Sequence, residues 1–328
     1  MYVVTGGAGF IGSNIVHGLE ARGLAPVAVV DRLDDDAKRA NIAKRRTVQV
    51  VDPDKVLPFL KANAGQVRAV IHMGAISATT ETRLVRIIKA NIVLSRRLWD
   101  WCADQGVPLI YASSAATYGD GSLGFDDDNS IDALKALKPL NLYGWSKAQF
   151  DIWAAERAAA GGPTPPQWAG LKFFNVYGPN EYHKGRMQSV ARQVYFRAAE
   201  GKACTLFKSH HPDYPDGGQK RDFVWVGDCV AETLWLLENP GVSGIFNAGS
   251  GQACSFKDLA SAVYRALGRE PMIEYVPTPE DIRDKYQYFT EARMDRIRAA
   301  GYTRPATPME QAVTRYVQEF LAADDPYL

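Results

Sequence analysis

Tyr143 and Lys147 stand four positions apart in Tyr143-Gly144-Trp145-Ser146-Lys147. On a helix that spacing puts both side chains on one face, one turn apart. An ammonium beside a phenol favours the phenolate, and a phenol tuned in this way can exchange a proton with a hydroxyl near neutral pH. A lone Tyr-x-x-x-Lys is far more often an ordinary helix start than a catalytic pair. Two other motifs keep this one from standing alone.

The first is Thr5-Gly6-Gly7-Ala8-Gly9-Phe10-Ile11-Gly12, which follows an apolar run and opens a helical stripe of Ile11, Ile15 and Leu19. Glycines at 6, 9 and 12 allow a tight turn and let a pyrophosphate approach a helix N-terminus. Asp31 lies about 20 residues on, where an acidic side chain bonds an adenosine ribose, as in NAD sites. Arg32 and Lys38 stand within reach of a 2′-phosphate and tilt the preference toward NADP. The second motif is Tyr111-Ala112-Ser113-Ser114-Ala115-Ala116-Thr117-Tyr118-Gly119. It follows a strand, and in an open parallel sheet ligands bind beyond the carboxyl ends of strands.

These side chains need a scaffold. Apolar runs at Tyr2–Thr5, Pro26–Val30, Ala69–His72, Leu109–Ala112 and Leu171–Phe174 read as buried strands. Between them, stripes such as Leu84, Ile87, Ile88, Leu94 and Leu98 read as helices. Alternation of strand and helix predicts an α/β fold, a Rossmann-type doubly wound parallel sheet. Residues 1–171 are expected to form the dinucleotide-binding domain. Residues 172–328 are expected to form mostly a smaller mixed α/β substrate-binding domain, with the chain returning to the first around 219–247. Gly161–Pro166 is a turn-rich connector, and Lys208–Gln219 a polar loop rich in Pro and Gly, expected to be mobile. Met309, Ala312, Val313, Tyr316, Val317, Phe320 and Leu321 make the apolar stripe of a last helix.

Composition excludes several classes. The chain has 328 residues, 46% of them hydrophobic, and a formal net charge of +1. A core of useful size is available, and nothing points to nucleic acid or an anionic membrane. Cys102, Cys204, Cys229 and Cys254 form no C-x-x-C pair, so no metal site is expected, and free thiols in the cytoplasm are. Met1 leads straight into the first expected strand, so no signal peptide is expected.

The glycine loop, the serine run and the Tyr143–Lys147 pair together resemble the extended short-chain dehydrogenase/reductase family. The resemblance extends to Asn91 and to Arg221-Asp222-Phe223-Val224, and covers almost the whole chain. Several stretches are similar to the branch of that family that inverts C6 of nucleotide-linked heptoses. They are His72–Glu81, Phe173–Val190 with its His183-Lys184-Gly185-Arg186-Met187, Gln219–Val224 and Lys285–Thr290. The chain departs from that pattern at Arg186, where serine is usual, and near Gln193, where histidine is.

The resemblance implies a bound nicotinamide dinucleotide, NADP by lean or NAD. Gly6, Gly9, Phe10, Ile11, Gly12, Asp31, Arg32, Lys38, Met73, Gly74, Ala75, Ser77, Asn91, Lys147 and Val176 would line its site. It implies that the heptose carbinol is oxidised and then reduced on its other face, with Tyr143 and Lys184 as two acid/base groups. Lys147 would tune Tyr143, and Ser114 would hold the reacting oxygen. Asn175, Arg186, Gln193, Phe207, Arg221 and Tyr286 would contact the substrate. The expected conversion is of ADP-D-glycero-D-manno-heptose to its L-glycero epimer, for lipopolysaccharide core heptose. A GDP-heptose or UDP-sugar enzyme is the alternative, and a non-catalytic dinucleotide sensor a further one. The resemblance also implies a homo-oligomer, pentamers being known among such enzymes.

Overall fold

The computed structural model describes residues 1–46, 48–283 and 286–328. Among the described residues twelve strands form the sheets: β1 Tyr2–Thr5, β2 Val27–Val30, β3 Val48–Val51, β4 Ala69–His72, β5 Leu109–Ser114, β6 Trp168–Phe173, β7 Asn175–Tyr177, β8 Cys204–Phe207, β9 Lys220–Trp225, β10 Gly244–Ala248, β11 Ala253–Ser255 and β12 Ile273–Val276. Seven of them make one sheet in the order β10-β6-β5-β4-β1-β2-β3. Every pairing in it is parallel.

A parallel sheet covered on both faces needs apolar side chains on both. Val3 packs on one side with Val70, Leu98, Trp99 and Phe150. Its neighbour Val4 packs on the other with Ile15, Leu19, Val29 and Ile71. The chain winds outward from β1 through β2 to β3, then crosses to β4 on the far side of β1. A cleft therefore opens beyond the carboxyl ends of β1 and β4, where Thr5 leads into Gly6 and His72 into Met73.

A three-stranded sheet, β11-β9-β7, and a two-stranded one, β12-β8, lie outside the large sheet. Helices Val190–Ala199, Phe256–Ala266 and Met309–Tyr316 share one apolar cluster with β8 and β9. No helix among the described residues is long and apolar enough to cross a membrane.

The strand ends differ from expectation by a few residues; β6 begins at Trp168, ahead of the expected Leu171. Two strands of the large sheet go unread in the sequence. β3 is an edge strand with Gln49 and Val50 exposed, and β10 carries a buried Asn247 in its apolar run. The chain rejoins the sheet at β10, 244–248, whereas β9, at 220–225, pairs in the smaller sheet. The stripe from Leu84 to Leu98 is helical, but Ile88–Val93 loosens into a π turn that carries Asn91.

Candidate active site

The glycine loop closes against β4. Gly6 adopts φ +64°, and a Cβ there would lie 2.7 Å from the Gly74 amide nitrogen. At Gly12 a Cβ would stand 2.1 Å from the Gly6 carbonyl oxygen. The helix that follows, Phe10–Ala21, starts at Gly9 with no side-chain cap and no acidic residue in its first turn. Its leading N–H groups are thus left for an anion. This cradle fits a dinucleotide pyrophosphate. Gly12→Ala is accordingly expected to abolish dinucleotide binding, measured by fluorescence titration of the purified variant.

Asp31 sits at the mouth of the loop. Its Oδ2 accepts from the Ala8 N–H at 3.0 Å, and its Oδ1 pairs with Lys38 Nζ at 3.1 Å. Arg32 points away to the exposed Asp54, 2.9 Å distant. Asp31, Arg32, Leu33, Asp34, Val50 and Asp52 line one cavity here.

Tyr143 and Lys147 lie in the helix Leu142–Ala159, capped by Asn141, whose side chain accepts from the Gly144 N–H at 2.9 Å. Close approach of this helix to the serine run depends on Gly144, where a Cβ would come within 2.5 Å of the Ala116 carbonyl. Ser114 stands beside the Tyr143 phenol and favours its ionised form, and its Oγ accepts from the Ala116 N–H at 3.1 Å. Lys147 is buried, and its ammonium donates to the Ala112 carbonyl at 2.7 Å. Burial draws its pKa down to about 8, opposed by Asp151.

Lys147 is expected to lower the pKa of the Tyr143 phenol, and the burial of the ring acts in the other direction. Burial raises the phenol above its ordinary value, Ser114 opposes this, and Asp151 adds to the rise. The physical reason is desolvation, which penalises the charged phenolate.

Asp151 follows Lys147 by four residues, on the same helix face, and carries a network that sequence reasoning passed over. It pairs with Lys172 at 3.1 Å, both side chains 1% exposed. It also accepts from Ser113 at 2.6 Å and Tyr111 at 3.1 Å. Lys172 donates in turn to Thr117 at 2.7 Å. The two ends of the serine run are thus tied to the helix that bears Tyr143. The signals were the 143–147–151 spacing and a lysine inside an apolar strand.

Asn91 is buried behind the Met73–Ser77 segment. Its amide exchanges hydrogen bonds with the Ile76 N–H and C=O at 2.8 and 3.0 Å and donates to Ser146 at 2.9 Å. Ser146 donates to the Tyr143 carbonyl at 2.7 Å. Asn91 therefore braces the Met73–Ser77 segment against the tyrosine helix. Behind it, His72 is held neutral, its pKa lowered by burial and by Lys147 to about 3. Its ring bridges Thr5 at 2.6 Å and Ser95 at 2.9 Å. Ser95 donates to the Asn91 carbonyl at 2.7 Å, which leaves its oxygen to accept from His72 Nε2–H, so Nδ1 accepts from Thr5.

Lys184 falls in the short turn Tyr182–Met187. Its ammonium lies 5.3 Å from the Phe10 ring centre, beside the glycine loop. Burial lowers its pKa, with Glu181 opposing. Glu181 is wholly buried and accepts from Ser189 and from Tyr316 at 2.6 and 2.8 Å. Arg186 is exposed, and Gln193 is exposed with its amide on the Gln188 carbonyl at 2.8 Å. Asn175 is exposed and Val176 half-buried on β7.

Phe207, Arg221 and Tyr286 come together. The Phe207 and Tyr286 rings meet edge-on at 5.8 Å, and the buried Arg221 guanidinium lies 5.5 Å from the Tyr286 ring centre. Lys285, part of the same motif, lies outside the described residues. The Lys208–Gln219 loop, expected to be mobile, carries contacts to Tyr288 and within itself. Ser209 N–H donates to Asp216 and His210 N–H to the Tyr288 hydroxyl, each at 2.8 Å, and Tyr288 packs on Tyr214 and His211.

The doubly wound sheet and its glycine cradle define a dinucleotide-binding protein. The sequence pattern described as the NAD dependent epimerase/dehydratase family matches residues 2–249. The chain belongs to that family, whose cofactor is a nicotinamide dinucleotide. It is 50% identical over 330 residues to ADP-L-glycero-D-manno-heptose-6-epimerase of Nitratidesulfovibrio vulgaris strain DP4, with 100% of both chains covered. Among solved structures it resembles ADP-L-glycero-D-manno-heptose-6-epimerase of Helicobacter pylori, with TM-score 0.78, 26% identity, and 97% of this chain and 95% of that one covered. It also resembles the UDP-glucose 4-epimerase of Thermus thermophilus complexed with NAD, with TM-score 0.77, 28% identity, and 98% and 99% covered.

Proposed function

We propose that the chain epimerises C6 of ADP-D-glycero-D-manno-heptose to the L-glycero form. The observation that carries this is the full-length similarity, at 50% identity, to a relative of that name. The bound dinucleotide would supply the chemistry of hydride removal from C6 and hydride return.

The protein's part is position and proton transfer. Environments that push two titratable groups apart mark an acid and a base. Burial disfavours charge on both Lys184 and Tyr143. It moves the lysine toward the neutral amine, a base, and holds the phenol protonated, an acid. Lys184 would then take the C6 hydroxyl proton in one direction and Tyr143 would return a proton to the oxygen on the other face. In the reverse direction the roles exchange, the phenolate form of Tyr143 taking the hydroxyl proton and the Lys184 ammonium returning one. Ser114 would hold the oxygen at Tyr143, and Lys147 the nicotinamide ribose. Asn175, Arg186 and Gln193 would contact the sugar. Arg221 would hold the diphosphate with its planar fork, and Phe207 and Tyr286 would pack on the nucleotide.

The purified protein, incubated separately with ADP- and GDP-D-glycero-D-manno-heptose, is expected to invert the ADP form, followed at the C6 proton by NMR. No inversion of either would overturn the reading. For the cofactor, Arg32 and Lys38 favour NADP, while Asp31, Asp34 and Asp52 around the same cavity favour free ribose hydroxyls. We keep NADP as the expected species released on denaturation, with NAD as the result that would reverse it. A homo-oligomer in the cytoplasm completes the proposal.

A further inference from the structure

Lys184 follows the large sheet's β6 in sequence, yet its segment is seated on the dinucleotide-binding end. Asn14, on the first helix, donates to the Pro179 carbonyl at 3.0 Å. Asn180 Nδ2 donates to Ser13 Oγ, also at 3.0 Å. Asn41 Nδ2 donates to the carbonyl of Ala8, inside the glycine loop, at 2.9 Å and to that of Asn180 at 3.0 Å, and lies 3.4 Å from His183 Nδ1. From the opposite side, the Leu328 N–H donates to Asn180 Oδ1 at 3.0 Å, and the Tyr182 hydroxyl to the Pro326 carbonyl at 2.7 Å.

We propose that Asn41 and Asn180 are positioning residues for Lys184, holding its turn in register with the glycine loop so that the amine meets a substrate presented by the dinucleotide. The inference rests on the two-base reading above.

Two features separate this junction from ordinary packing. Asn180 has φ +73°, the only positive value for a residue other than glycine among those described. Glycine takes that conformation without strain, so the side chain present is there for its bonds. Asn41 is 1% exposed, and its Oδ1 is buried without a hydrogen-bond partner. Its two carbonyl acceptors fix which end of the amide is nitrogen. The unpaired acceptor is a cost to folding that placement of the loop and the Lys184 turn offsets.

Asn180→Gly keeps the backbone conformation and removes the side-chain bonds, and Asn41→Ala removes the bridge to Ala8. Reduced nicotinamide is followed by stopped-flow absorbance after mixing with each C6 epimer separately. The epimer whose oxidation depends on Lys184 is the one that Lys184→Met slows. Both variants are expected to slow oxidation of that epimer by about 10- to 100-fold, as misplacement of a reacting group by an ångström does, and to leave the other within about threefold. Labelling of Lys184 by reductive methylation, read by mass spectrometry, is expected to move to higher pH, toward an ordinary lysine. Equal slowing of both epimers, or of neither, would overturn the proposal. If the wild-type protein gives no absorbance change with either epimer, the epimerase reading fails instead. The labelling then decides alone, and a profile unchanged from wild type refutes the positioning role.

Discussion

Tyr143→Phe is expected to lower the rate of C6 inversion by about two to four orders of magnitude, the usual worth of a positioned acid/base group, with bound dinucleotide retained. The substitution removes one oxygen and keeps the ring, so the packing of the helix Leu142–Ala159 survives. The glycine cradle is untouched, and Lys147 keeps its bond to the Ala112 carbonyl. What disappears is the proton that burial holds on the phenol, together with the oxygen that faces Ser114. The measurement pairs turnover by NMR with the dinucleotide content of the purified variant. Turnover near wild type with cofactor in place would remove Tyr143 from the chemistry. Loss of both would mean that the residue is needed to build the site.

Legibility in the sequence followed the range of the physics involved. The glycine loop is a local device: its turn, its helix start and its close approach to Gly74 all lie near in the chain or across one strand pairing, so spacing suffices. The Tyr143–Lys147 face is equally local, because one helical turn defines it. The electrostatic sign of Tyr143 was not local. It depends on how much of the ring is desolvated once β5 and the serine run close over it, and an isolated pair on a helix would behave oppositely. Asp151 and Lys172 meet only when β6 lies beside β5, although each was visible as a charge in an apolar setting. Asn41 and Asn180 are 139 residues apart, and nothing in either's neighbourhood announces the other. Function at the level of substrate came from resemblance of whole segments, above all His183–Met187, since no spacing rule distinguishes one sugar from another.

Lys184→Met is the sharper test of a two-base reaction, with an expected loss of about two to four orders of magnitude in overall inversion. Methionine preserves much of the stem and its contact with Phe10, and removes the amine. Oxidation of one epimer should stop at the step that needs a neutral amine, while oxidation of the other, served by Tyr143, should still begin. The asymmetry matters more than the size of the loss, because a collapsed site would slow both. Lys184→Arg separates charge from proton transfer. A guanidinium keeps the positive charge near Phe10 but does not give up its proton in proteins, so it cannot act as a base. If the arginine variant turns over like the wild type, Lys184 acts through charge alone. If it fails as the methionine variant does, on the same epimer, then proton transfer at that position is the function. The fall in wild-type rate as pH drops through the Lys184 pKa should be missing from both variants. Burial lowers that pKa, so the wild-type loss should set in below the ordinary lysine range.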